Sequence, residues 1–403
     1  MSYRLKPTTE PGQKLCSLIE AEHDFIIEQA EIADAEQQVA SATFDRLRKT
    51  GISGAFVPEQ LGGMGLTSAP DWAAAICALA RADASVAIAL NMHLGVSRGM
   101  VDAWRRLNRA GHTPPSAMTR QLRAIAEGEV LICATATEPG TDNLHPFTEA
   151  VAFEEGYRIN GHKMFVTLSP IATHLAMNLR LRDDEGDHIA SIMIPRDTPG
   201  VIPQNDWDAL GMRSSGSQSV RFEDCQVGRD VVRKVGPWGR WSLPVISNRT
   251  AGNLPLVAAF LGVAESAVEI TIATLASGSV REKPRGGVVH MVAEMEIDLA
   301  TCQALMARAC DLLDTFLSLD APTHAQAHEM LKDYQSAKWV INNKAIHIVN
   351  HAMDLVGGRS FMSNHRLARL YRDVRAGPFM QPFSRPEARE YVGRVALGDY
   401  PDS

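Results

Sequence analysis

The residues of this chain whose types and spacing could do chemistry gather in one stretch, from Ala134 to Thr167. It opens with Thr135, Thr137 and Glu138-Pro139-Gly140-Thr141-Asp142-Asn143, and closes on Asn160-Gly161-His162-Lys163-Met164-Phe165-Val166-Thr167. Pro139 and Gly140 break the strand-like run 130–137 into a loop, exposing backbone N–H groups beside the hydroxyls of Thr135, Thr137 and Thr141. Asn160-Gly161, between Tyr157-Arg158-Ile159 and the strand-like run 163–167, predicts the turn of a β-hairpin. Loop and hairpin together could hold a flat ring with polar edges, amides and hydroxyls along its rim and Phe165 and Thr167 against its face. An ordinary hairpin with a Thr-rich turn accounts for the same residues.

Three regions must position this stretch. Residues 1–128 read as helices: 28–49 is rich in Ala and Glu, 69–90 is strongly apolar, and 105–116, with Gly111 and Pro114-Pro115, reads as a surface loop. Residues 129–236 switch to short strands at 151–153, 157–167, 189–194, 200–202 and 219–222. Residues 237–403 return to long helices at 254–274, 290–319 and 330–355, the last stopped by Gly357-Gly358. His93, in Asn91-Met92-His93-Leu94, falls on an apolar helix, as a satisfied core histidine or as a hydrogen-bond donor. Arg366, Arg369, Arg372 and Arg375 recur at every third position and spread over adjoining helix faces, where a surface salt-bridge network or a phosphate contact would use them; Asp373 is expected to pair within that helix.

Composition bounds the class. At 403 residues and 45% hydrophobic content the chain can bury a large core, and a formal net charge of −7 argues against nucleic acid or an anionic membrane as partner. Six scattered cysteines, with no Cys-x-x-Cys, read as reduced thiols and not as a disulfide frame or metal site. The N-terminus lacks an apolar signal core, and polar residues interrupt the apolar runs. The expectation is a cytoplasmic protein with no membrane span.

Further motifs flank the central stretch: Phe56-Val57-Pro58-Glu59-Gln60-Leu61-Gly62-Gly63-Met64-Gly65, Leu210-Gly211-Met212-Arg213-Ser214-Ser215-Gly216-Ser217, Val220 to Val227, Leu355 to Phe361, and Leu370-Tyr371-Arg372-Asp373-Val374-Arg375. In this order and spacing the set resembles the acyl-CoA dehydrogenase superfamily of flavoproteins, from about 51 to about 393. The resemblance implies a mainly α fold: a helical N-terminal domain, a small β-barrel-like middle domain and a C-terminal four-helix bundle. It implies FAD, with Thr135, Thr137, Phe165 and Thr167 at the flavin ring, where donors stabilise the reduced anion. Arg281 resembles the arginine that reaches the FAD pyrophosphate of a neighbouring subunit, which implies a homo-oligomer, tetramer or dimer; a solvated charge beside Lys283 and Arg285 is the other reading. His290 stands where a cofactor-facing glutamine is usual, or is a packed helix histidine. Gly357 and Gly358 match a close approach to the dinucleotide. Thr141, Asn143 and Arg213 fall where the substrate is met.

Two departures bear on the chemistry. The loop from Gly140 to Pro146 is shorter and bulkier than the family's. The base that removes the proton beside the thioester carbonyl is usually a glutamate eight residues beyond the Arg-Asp aspartate, and that position is Gln381. The alternative location, on the helix opening the last domain, is also empty, since 231–264 contains no carboxylate. Glu387 and Glu390 could supply a relocated base or lie in the first turn of a solvated helix. Relatives without the base include flavin-dependent monooxygenases, for which Gln381, Thr167 and His93 could serve as donors. The expectation is an FAD-dependent oxidoreductase acting on an acyl thioester, borne by CoA or a carrier protein, or on a similar activated carbonyl, with oxygen as co-substrate. The alternatives are a dehydrogenase with a relocated base that passes electrons to an electron-transfer flavoprotein, and a flavin-binding scaffold without turnover.

Overall fold

The computed structural model describes residues 4–277 and 286–401. Six helices come first: α1 Glu10–Ala21, α2 His23–Glu36, α3 Ser41–Lys49, α4 Ala69–Ala82, α5 Ala84–Arg109 and α6 Ser116–Ala126. The Ala- and Glu-rich run 28–49 is two helices, broken where Gln37 turns left-handed (φ 55°). The apolar run 69–90 is also two. Asp83 leaves helical geometry and its Oδ1 caps α5 by accepting from the N–H of Ser85 at 2.8 Å. Helix α5 reaches Arg109, so the loop read at 105–116 shrinks to six residues.

Eight strands follow: β1 Ile132–Thr135, β2 Glu149–Phe153, β3 Gly156–Val166, β4 His174–Asp183, β5 Gly186–Pro195, β6 Val201–Pro203, β7 Gln218–Gly228 and β8 Arg233–Pro237. They form one sheet in the order β6-β7-β3-β2-β4-β5-β8, with β1 on β4. The first half of β4 pairs with β1 and its second half with β2, both parallel, while Ala134 bridges to Thr167 at the end of β3. This ring of pairings curls the sheet around Ile132, Ala150, Ile159, Val166 and Leu175. The hairpin expected at Asn160-Gly161 is not there. Both residues lie inside β3, at an irregularity against β7, and the hairpin turn is at 154–155, where β2 turns into β3. Gly161 is needed for closeness, since a Cβ would lie 2.4 Å from the Thr148 hydroxyl oxygen.

The chain then returns to helices α7 Leu243–Ser277, α8 Gly286–Leu317, α9 His324–Val356, α10 Arg366–Asp373 and α11 Arg385–Ala396. Helix α7 is long and apolar enough to cross a membrane, contrary to the expectation that polar residues interrupt every such run; most of it is buried inside the protein, against α4, α5, α8 and α9. Helix α9 opens on a capping box, Thr323 with Gln326, and ends at Gly357 (φ 75°) as expected.

Helix α10 corrects two readings. Its arginines turn inward: Arg366 and Arg369 donate to the last carbonyls of α4, at Arg81 and Ala82, and Arg372 pairs with Asp34. Arg366 and Arg369 thus cover a helix C-terminus, where cations belong, while Arg375, beyond the helix, is exposed. Asp373 does not pair within its helix. Fully buried, it accepts the N–H of Met212 at 2.6 Å, and burial pushes its carboxyl up to about 7.

Candidate active site

The sharp turn after β1 and the segment after α10 meet. Gln381 donates from Nε2 to Thr137 Oγ1 at 3.2 Å and accepts at Oε1 from Asn143 Nδ2 at 2.5 Å. Two residues of the stretch after β1 and one from far along the sequence therefore form one chain, Asn143 to Gln381 to Thr137. Its direction is set, because an amide N–H can only donate. The Thr137 oxygen is engaged as acceptor, so its own O–H is available to a ligand.

Two buried side chains of α9 hold the segment carrying Gln381. Tyr334 donates its hydroxyl to the Gln381 carbonyl at 2.9 Å, and Lys338 donates to the carbonyls of Met380 and Phe383. Burial depresses the Lys338 ammonium to about 8. The facing loop is stapled by Glu138, which is buried. Its Oε1 accepts from Lys163 Nζ at 2.5 Å, and its Oε2 accepts from the N–H groups of Phe147 at 2.6 Å and Thr148 at 3.0 Å. Desolvation lowers the Lys163 pKa, and the glutamate beside it opposes that. Within the loop, Asp142 Oδ1 accepts from the N–H groups of Leu144 and His145, an Asx turn that aims Asn143 at Gln381.

The flavin-facing residues lie next to this chain. Thr135 donates to the Met164 carbonyl at 2.7 Å, while the Met164 N–H returns to the Thr137 carbonyl at 3.0 Å. Phe165 is left-handed (φ 53°), half exposed, and edge-on to Trp207 with ring centroids 6.0 Å apart. Thr167 shares a hydroxyl contact of 2.9 Å with Ser217, which meets Ser215 at 2.7 Å. That serine turn is fixed from below by Asp373 through Met212. Gly211 lies against the Arg372 carbonyl, where a Cβ would approach to 2.3 Å.

Other expected site residues stand apart. His93 is a core histidine: Nδ1 accepts the N–H of Ile132 at 3.1 Å, Nε2–H donates to the Ser53 carbonyl at 2.9 Å, and burial lowers its pKa to about 4. Both nitrogens are used, so it is no donor to a ligand. The Thr141 hydroxyl is spent on the His145 carbonyl at 2.6 Å. Arg213 is half-buried in the serine turn and forms no ion pair among the described residues. His290 is exposed on α8, and the faces of Gly357 and Gly358 are open, with nothing within 4 Å of a Cβ. Arg281 lies outside the described residues. Glu387 closes the capping box of α11, accepting the Ser384 N–H at 2.8 Å, and Glu390 is exposed and paired with Arg394, so neither is a relocated base.

Around Gln381, then, Glu138 is neutralised by Lys163, Asp142 is bound up in its turn and Glu387 caps a helix. What remains is hydroxyls, amides and the half-exposed rings of Phe165 and Trp207, a donor set that fits an isoalloxazine ring. Sequence reading missed Tyr334, Lys338 and the Glu138–Lys163 pair. Only the last had a signal, a lysine at an inward-facing position of β3.

Fold and site agree with a flavin-dependent oxidoreductase of the acyl-CoA dehydrogenase superfamily, and the chain belongs to that superfamily. It matches the acyl-CoA dehydrogenase N-terminal domain over residues 20–104, the middle domain over 132–225 and the C-terminal domain over 246–381. It is 34% identical to the amino sugar nitrososynthase DnmZ of Streptomyces peucetius, over 98% of this chain and 95% of that one. It is also 34% identical to the L-evernosamine nitrososynthase of a Micromonospora species, over 97% and 92%. KijD3, solved in complex with FMN and dTDP-3-amino-2,3,6-trideoxy-4-keto-3-methyl-D-glucose, superposes with a TM-score of 0.91 at 32% identity, covering 98% of this chain and 96% of that one.

Proposed function

We propose that this enzyme oxidises the primary amine of a nucleotide-linked amino sugar, using dioxygen and reduced flavin. The observation that carries the reading is Gln381, an amide locked between Asn143 and Thr137 and, among the described residues, bonded to no carboxylate. An amide takes no proton at accessible pH, so abstraction from carbon lacks its base. Nucleophilic attack by an amine instead requires that the amine be neutral, and a pocket without a carboxylate partner does not hold it as ammonium.

Reduced flavin, when bound, supplies the two electrons with which dioxygen gives one oxygen atom to nitrogen and one to water. Amine, dioxygen and two reducing equivalents yield hydroxylamine and water; a second dioxygen and two more reducing equivalents yield the nitroso group and two waters. Thr137 and the Thr167–Ser217 pair would hold the ring edge, and the Asn143–Gln381–Thr137 chain would orient a donated hydrogen bond without moving a proton. The stapled loop 138–148 would keep water from the reacting atoms.

FMN, the flavin of KijD3, is the form we infer over FAD. A homo-oligomer, dimer or tetramer, agrees with Phe361 and Phe379, each 83% exposed, and with the open faces of Gly357 and Gly358. The six cysteines are free thiols, and a reducing cytoplasm suits them. The test is aerobic incubation with chemically reduced FMN and a dTDP-linked amino sugar, followed by mass spectrometry. Gain of oxygen on the sugar supports the reading. An untouched amine, with a saturated acyl-CoA desaturated instead, overturns it in favour of the acyl thioester.

A further inference from the structure

Trp241 and Arg249 lie where α7 begins. The Trp241 ring packs on Phe383, two residues beyond Gln381, at 5.6 Å, and on Tyr391 at 6.0 Å; its carbonyl accepts from His324 Nε2 at 2.6 Å. The guanidinium of Arg249 lies over that ring, 5.0 Å from its centroid. The acid whose charge reaches Arg249 is Asp142, the residue before Asn143. The Trp241 ring thus connects Arg249 to the segment that carries Gln381.

Its charge has no carboxylate partner. Among the described residues no acid lies within 4.0 Å of it, whereas Arg180 has Asp187, Lys163 has Glu138 and Lys338 has two carbonyls. Asp142 is already committed, its Oδ1 taking two backbone N–H groups and His145 Nδ1 at 2.9 Å. Burial lowers the Arg249 pKa to about 10. A partly desolvated cation without a counter-ion costs stability unless a ligand supplies the anion.

We propose that Arg249, seated over the Trp241 ring, receives the diphosphate of the substrate's nucleotide, and so sets the distance from that anchor to the amine beside Gln381. A planar fork of N–H donors matches phosphate oxygens. The assignment rests on the nucleotide-sugar reading above.

The test is isothermal titration of the flavin-loaded protein with dTDP, with thymidine as the uncharged arm, in the native chain, in Arg249→Gln and in Arg249→Lys. Flavin absorbance and melting temperature establish that each variant is folded. Native protein should bind dTDP more tightly than thymidine, and more weakly as salt rises. Arg249→Gln should lose roughly ten- to hundredfold in dTDP affinity, as expected for hydrogen bonds to a charged group, with thymidine binding unchanged. Arg249→Lys should fall between the two. Equal dTDP affinity in native and Arg249→Gln protein overturns this assignment alone. Native protein that ignores dTDP overturns it together with the nucleotide reading.

Discussion

Replacing Asp373 with Asn tests whether a buried acid beneath the serine turn opposes folding. Asp373 is fully buried, accepts the Met212 N–H, and has its carboxyl raised from 3.8 to about 7. Desolvation is the main cause, outweighing the Met212 hydrogen bond and the charge of Arg369. Below the unfolded value the group is protonated in both states and costs nothing. Between that value and about 7 the unfolded chain releases the proton while the folded chain keeps it, so stability falls as pH rises. Above about 7 the whole penalty is present. A shift of roughly three units, at about 1.4 kcal/mol each, sets it at about 4 kcal/mol. Asparagine is neutral throughout, and its Oδ1 can still accept from Met212. Urea unfolding of both chains at a series of pH values from acid to mildly alkaline, followed by tryptophan fluorescence, measures the difference. Asp373→Asn should match the native chain at the acid end and exceed it at the alkaline end by a few kcal/mol. A variant that is weaker at alkaline pH, or whose difference from the native chain does not change with pH, would refute the reasoning.

Lys163→Met should leave Glu138 charged and buried without its counter-ion, destabilising the fold by about 3–5 kcal/mol, as read by chemical unfolding; adding Glu138→Leu should recover only part, because the Phe147 and Thr148 N–H groups lose their acceptor. Gln381→Leu removes the link between Asn143 and Thr137, and coupled amine oxidation should fall roughly tenfold or more, with flavin affinity, followed by fluorescence quenching, changed much less.

The order of helices, strands and helices was legible because its signals are local: periodicity, Gly-Gly stops and capping residues. The misread elements were decided elsewhere. Asn160-Gly161 has hairpin chemistry, yet β7 pairs along both its flanks and Thr148 leaves no room for a side chain, so tertiary pairing overrides the turn. Strand β4 was missed because Leu175, Ala176 and Met177 are buried in succession, so its first half shows no alternation.

The candidate site was legible where a residue type is unusual for its motif. Gln381 stood out against an expected glutamate, and Thr137 and Asn143 followed from the loop. What holds them was not legible. Tyr334 and Lys338 lie on α9 more than forty residues from the carbonyls they bind, and no pattern in α9 distinguishes them from ordinary helix positions. His93 shows the converse. Its sequence setting left a donor open, but two backbone partners close that option.

The central claim is that oxygen goes to the substrate instead of hydrogen leaving it. The direct measurement is single turnover of the reduced-flavin enzyme with a dTDP-linked amino sugar under isotopically heavy dioxygen, with the product analysed by mass spectrometry. The account predicts heavy oxygen bound to the sugar nitrogen, at a level that follows the flavin reoxidised. A product without heavy oxygen, or flavin that reoxidises while the amine stays intact, would contradict it.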